Sequence, residues 1–123
     1  MIKVTYFVRR LPEVSEPDFR RHWRGSHAAL IAKHATTFGI GRYAQVHPVE
    51  HPANRPSTAF PDPCDGIAEL WFNTRADLDL WFDNSTPAAR AAGKEIRDDE
   101  RTFIDRARSP AMIGEEIVFV GGE

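Results

Sequence analysis

Residues 48–63 limit what this chain can fold into more than any other stretch. They hold five of the nine prolines together with Asn54, Ser57 and Asp62. Proline has no backbone N–H to give, so it breaks helix interiors and is excluded from central strands. No helix or ladder of any length is expected there, only an ordered loop or a lid. Strand-like runs flank it, "RYAQVHPV" before and "DGIAELWF" after, both enriched in β-branched and aromatic side chains. The chain therefore passes from one strand to the next with no helix between them.

The remaining elements complete a recognisable order. "IKVTYFV" alternates Ile2, Val4, Tyr6 and Val8 against Lys3, Thr5, Phe7 and Arg9, as a strand with two distinct faces does. Ser15 is placed as an N-cap, with Pro17 and Asp18 in the first turn, and the helix it opens is expected to run to about His34. Thr74 and Asp77 have capping-box spacing and start a short helix through Leu78, Trp81 and Phe82, stopping near residues 84–87. A further helical run, with Ile96, Phe103 and Ala107 on one side, is expected to end at Ser109 and Pro110. "AMIGEEIVFV" reads as the last strand.

The order β-α-β-β-α-β is that of an α+β, ferredoxin-like split βαβ unit: a four-stranded antiparallel sheet with helices on one face. The chain's 123 residues suit one domain with one modest core. On the uncovered face we expect Tyr43, Gln45 and His47 beside Ile67, Glu69 and Trp71, and under the helices Ala44 and Val46 beside Ala68, Leu70 and Phe72. So much aromatic surface calls for a cover, and a second copy of the sheet in a homodimer is the simplest one. Glu69 on that face would pair with an arginine such as Arg9.

Sixteen basic and eighteen acidic residues leave a net charge of -2, so no one-signed field draws nucleic acid or an anionic membrane. The N-terminal stretch mixes charge into its apolar residues, unlike a signal peptide, and no run is long enough to span a bilayer. A lone cysteine, Cys64, offers no intrachain disulfide, so a cytoplasmic setting is expected. Phosphate loops, dinucleotide fingerprints, cysteine-metal spacings and nucleophile elbows do not occur. No metal or cofactor of those classes is expected. His47 and His51 have H-x-x-x-H spacing but fall in or beside the proline-rich segment, where their rings need not converge.

The segment "DFRRHWRGSHAALIAKH" holds three histidines at helical spacing. On a regular helix His27 lies on the flank of the buried stripe formed by Phe19, Trp23 and Leu30, His22 points away from that stripe, and His34 closes the helix at the negative end of its dipole. Tyr6 can bring a hydroxyl to the layer His27 faces. One titratable ring and one phenol are the minimal kit for proton transfer, and Trp23, Phe72 and Trp81 can wall the pocket around them.

These residues resemble a known family. The opening "VTYFVRR", the helix "FRRHWRGSHAAL" and the strand "DGIAELWF" are similar to the EthD-domain family of the dimeric α/β-barrel superfamily, over nearly the whole chain. The resemblance implies a ferredoxin-like protomer, a homodimer closing two sheets into a barrel, and a ligand cavity between sheet and helices. The family's helix-one histidine corresponds to His27. Relatives include lactone isomerases, polyketide cyclases or dehydratases, and cofactor-free oxygenases; haem-using relatives also exist in the superfamily. Some isomerases carry a strand-three cysteine, whose position here is Leu70, and that departure argues against cysteine-dependent isomerisation. The expected function is cofactor-independent proton transfer on a small hydrophobic or aromatic carbonyl compound, with His27 as general acid/base, Tyr6 as hydrogen-bond donor, and Trp23, Leu70, Phe72 and Trp81 around the substrate. The alternatives are a cofactor-free or haem-using oxygenase, or a non-catalytic binding protein for an apolar metabolite.

Overall fold

The computed structural model describes residues 1–58 and 62–122. Strands β1 (Ile2–Val8), β2 (Ile40–Val46), β3 (Gly66–Phe72) and β4 (Ala111–Glu115) form one sheet in the order β2-β3-β1-β4, with every neighbouring pair antiparallel. Helices α1 (Glu16–His22), α2 (Ala28–Lys33) and α3 (Ala35–Phe38) lie between the first two strands, and α4 (Arg75–Asp83) and α5 (Pro87–Glu100) between the last two. This is the ferredoxin-like, α+β arrangement that the element order predicts. Ser15 caps α1 by accepting from the Asp18 N–H, and Thr74 forms the expected reciprocal box with Asp77.

Two apolar clusters glue the helices to the sheet. Val4, Leu70 and Phe72 meet Ile31, Phe38, Leu78 and Ile96, while Val8 and Ala68 meet Phe19, Trp23 and Phe103. Tyr6 and Tyr43 pack against both. Residues opposite one another in an antiparallel ladder share a face, and Tyr43 pairs with Leu70 and Gln45 with Ala68. Tyr43 and Gln45 therefore lie under the helices, and Ala44 and Val46 share the open face with Glu69 and Ile67. The expected faces of β2 are reversed. The register slips by one residue between Ile40 and Arg42, and the inward polar groups find partners: the Gln45 amide donates to the Trp23 carbonyl at 2.8 Å and to the Tyr43 hydroxyl at 2.7 Å.

On the open face Trp71 is already covered within one chain, at 4 % exposure, by Lys3 and Arg42 poised over its ring at 4.6 and 4.5 Å. Glu69 pairs with Lys3, not with Arg9, which instead reaches Asp62 and the Arg108 carbonyl. Lys3 is the closer partner because, opposite Trp71 on the neighbouring strand, it lies diagonally across from Glu69 on the same face.

Four segments differ from the sequence expectation. The first helix is not continuous: a π-helical turn, Trp23–His27, interrupts it, with Gly25 at φ -96° and ψ -106°. Helix α5 stops at Glu100, where the Thr102 hydroxyl takes the Asp99 carbonyl at 2.6 Å and Ile104 is drawn into a bridge with Arg10. A short 3-10 turn, Arg106–Arg108, then leads to β4. That strand ends at Glu115 because its partner runs out, the last backbone contact being from Glu116 to Met1. Contrary to the expectation of no helix of any length in residues 48–63, the described residues there include a 3-10 turn, Pro52–Asn54: proline opens it with no donor to lose, and the His51 ring caps its start by accepting from the Ala53 N–H. Residues 59–61 of this segment lie outside the described residues.

Candidate functional site

Between the sheet and the helices lies a cavity of about 510 Å³, within the usual range for a small-molecule site. Tyr6, Trp23, His27, Leu70 and Trp81 all line it, as does Tyr43. Phe72 does not. It is fully buried in the core below, with its ring 6.1 Å from that of Trp81, because its place at the end of β3, opposite Ile40, seats it beneath α3 and α4. Ile31, Phe38 and Ile96 supply further apolar wall.

The π-helical turn organises the polar side of the cavity. Five residues of regular helix would separate His22 and His27 by about 140°, too far apart to meet one partner. The extra residue per turn of a π-bulge brings i and i+5 over each other, and both rings reach Asp99 on α5. His27 Nδ1–H donates to one carboxylate oxygen at 2.7 Å, and His22 Nε2–H to the other at 2.9 Å. Ser26 donates in turn to His22 Nδ1 at 3.2 Å. The Phe103 ring stands edge-on to both imidazoles, with centroids 5.0 Å from His27 and 4.4 Å from His22.

His27 is only 3 % exposed. Burial pushes its pKa below the ordinary value against the opposing pull of Asp99, so the ring is neutral at pH 7. With Nδ1–H committed to Asp99, Nε2 carries the lone pair and has no hydrogen-bond partner among the described residues. A neutral imidazole oriented by a carboxylate is the arrangement of a general base.

The sheet supplies donors. Trp81 Nε1–H donates to the Tyr6 oxygen at 2.8 Å, and burial pushes that phenol up to about 12. It stays protonated, with its own hydrogen free to point elsewhere. Burial likewise raises Tyr43 to about 12. Glu100, at the end of α5, also lines the cavity; burial lifts its carboxyl to about 6 against the pull of Arg106 and Arg97. The Trp23 ring is seated directly on Gly66, where any side chain would collide with it.

Sequence reasoning missed Asp99, Glu100, Tyr43 and the part played by His22. One signal was readable: Asp98, Asp99 and Glu100 crowd the last turn of α5, where the helix dipole disfavours negative charge. Acids placed against that preference have another reason to be there. Among the described residues no group of three or more His, Cys, Asp or Glu side chains is arranged to hold a metal ion, and no helix is long and apolar enough to cross a membrane.

Comparison with known proteins gives the family and the fold. The EthD domain family model matches residues 11–107. The crystal structure of an EthD family protein from Bacillus halodurans superposes with a TM-score of 0.63 at 22 % identity, covering 95 % of this chain and 99 % of the other. HapK from Hahella chejuensis gives 0.63 at 13 % identity, covering 99 % and 100 %. A dimeric protein of unknown function and ferredoxin-like fold from Bacteroides fragilis gives 0.60 at 11 % identity, covering 94 % and 95 %. No curated protein matches the sequence. With its family model spanning both helical regions and strands β2 and β3, the chain belongs to the EthD-domain family.

Proposed function

We propose that this protein is a cofactor-independent enzyme that moves protons on a small hydrophobic or aromatic carbonyl compound, in the manner of a lactone isomerase, cyclase or dehydratase. The observation that carries the reading is the buried His27, held by Asp99 at 2.7 Å with Nε2 unpartnered, in the same cavity as a Tyr6 hydroxyl oriented by Trp81. His27 Nε2 takes a proton from the carbon next to the carbonyl, and Tyr6 donates a hydrogen bond to the oxygen on which charge develops. Trp23, Leu70 and Trp81 hold the apolar body of the substrate. The wall is mostly apolar, which strengthens both polar interactions by excluding water.

The active form is a homodimer. The Bacteroides fragilis relative is described as dimeric, and here Val46, Ile67 and Phe7 form a cross-strand apolar row on the open face. Val46 is 47 % and nearby Met112 61 % exposed, surface that a second sheet would cover.

The test is deuterium incorporation at C2 of α-tetralone, an enolisable aromatic ketone, followed by NMR in D2O. Wild-type protein accelerates exchange over buffer, and His27→Ala loses roughly 10²- to 10⁴-fold of that acceleration. Saturable ketone binding with no acceleration would make the protein a carrier.

A further inference from the structure

Glu100 is a cavity carboxylate that the mechanism above does not use. It follows Asp99 in the last turn of α5, yet the two side chains have different surroundings. Asp99 accepts from two histidines, whereas the Glu100 carboxyl makes no hydrogen bond among the described residues. Its one ion contact is Arg106 Nε at 3.9 Å, well beyond the 2.7–2.9 Å of a charge-assisted hydrogen bond. The side chain is 24 % exposed and lines the same cavity as His27, Tyr6 and Tyr43. A half-buried carboxyl with no hydrogen bond and only a long ion contact is costly as an anion. It is affordable as a neutral acid, or as a group whose partner is the ligand.

We infer that Glu100 is the second proton-transfer residue of this cavity, protonating the substrate's carbonyl oxygen while His27 removes a proton from the adjacent carbon. The inference rests on the proton-transfer reading of the same site. In the forward step the C–H bond breaks and its electron pair forms the C=C bond of the enol. The carbonyl π pair moves onto oxygen, which takes the Glu100 proton. Imidazolium and carboxylate remain, so net charge is unchanged. Return of the proton from His27 to carbon and of the enol proton to Glu100 restores the enzyme without oxidant or reductant. Tyr6 and a neutral Glu100 would then donate to one oxygen, a phenol and a carboxylic acid acting together.

The groups around Glu100 are consistent with this role. Arg97 and Asp99 from α5, Arg101 at its C-cap, Arg106 from the following turn, Tyr6 from β1 and Tyr43 from β2 all interact with it electrostatically. Burial outweighs the arginines and holds the carboxyl at about 6. The negative charge of Glu100 in turn helps to raise both phenols, so it lies within electrostatic reach of the hydroxyls it would work beside.

The α-tetralone assay tests this, with ketone affinity measured in parallel by tryptophan fluorescence. Wild-type exchange is expected to fall on the alkaline side of about 6 as Glu100 ionises and on the acid side as His27 protonates; the two apparent values belong to the pair. Glu100→Gln slows exchange by about tenfold or more, keeps the dissociation constant within about threefold, and removes the alkaline limb. Glu100→Asp, which keeps the acid but withdraws it, exchanges more slowly than wild type and retains the limb; it decides alone if Glu100→Gln does not fold. Wild-type rate and an intact limb in Glu100→Gln, or wild-type rate in Glu100→Asp, overturn the role of Glu100 and leave that of His27 standing. Wild-type protein that binds the ketone without accelerating exchange, or does not bind it, overturns both.

Discussion

On the helix side of the sheet Tyr6 and Tyr43 line a cavity, with Gln45 held against Tyr43, while on the other side Phe7, Ile67 and Val46 lie in an apolar row. Residue polarity alone would assign these two faces the other way round on β2, where Ala44 and Val46 are the apolar pair. The helix side tolerates phenols and an amide because each has a partner: Trp81 for Tyr6, Gln45 for Tyr43, and the Trp23 carbonyl for Gln45. The open side leaves Val46 exposed and Ile67 half-buried, and buries Trp71 under two cations. One face is closed around polar groups partnered within the chain, and the other leaves apolar surface that the proposed dimer would cover.

The largest test of this contrast is Trp23→Ala. Its ring packs with Phe19 at 5.3 Å and is 1 % exposed, so truncation should cost about 3–5 kcal/mol in denaturant unfolding at fixed protein concentration. A loss near 1 kcal/mol would mean that the cavity wall collapses to fill the space.

Ile67→Lys probes the other face. A charge placed in the apolar row has no partner across a sheet-to-sheet interface on the order of 1,600 Å². Light scattering at low micromolar concentration should give twice 13.9 kDa for wild type and half that mass for the variant, with unchanged circular dichroism. A monomeric wild type would remove the barrel.

A smaller effect is expected from Glu100→Gln. The native carboxyl titrates at about 6 against an ordinary 4.5, so between these values the folded chain binds the proton more tightly than the unfolded one. The contribution of Glu100 is therefore fully present below 4.5 and lost as pH rises through 6. Replacing it should stabilise the protein at pH 7 by up to about 2 kcal/mol and leave stability at pH 4 little changed. Urea midpoints of the two proteins at both pH values decide this; equal differences would place Glu100 in an ordinary solvated setting.

His27→Leu should move stability least, within roughly 1 kcal/mol at pH 7, because Asp99 keeps His22 and a buried ring held for chemistry is a cost in itself. The sign of its pH dependence opposes that of Glu100. The folded imidazole is depressed below 6.5, so its contribution is present above 6.5 and lost as pH falls through the native value. The variant should lack that acid-side loss. If His27→Leu and His27→Ala both cost as much as Trp23→Ala, His27 is packing and not a site residue.

Much of the frame was legible before any coordinates. The strand alternation of residues 2–8, the Ser15 cap and the Thr74–Asp77 box are local patterns with local causes, and each stands where expected. Tyr6, Trp23, His27, Leu70 and Trp81 were each legible as cavity residues because all five lie on the buried side of a periodic element. Phe72 shares that side but sits where the core is solid. Tyr43 was misplaced because alternation defines two faces of a strand without saying which is inward, and the polar residues of a cavity reverse the usual choice.

What the chain alone determined is therefore the succession of elements, set by periodicity, caps and proline, together with the residue types available for proton transfer. Tertiary structure decided which of them meet. The π-helical turn stacks His22 and His27, five apart, onto Asp99 from α5, and the stop at Glu100 leaves the neighbouring carboxyl in the cavity. Sequence separations of 77 and 72 residues lie between those histidines and their partner. No local pattern spans such distances, because the energy that closes them comes from packing helices on a sheet and not from any propensity of the residues that finally touch.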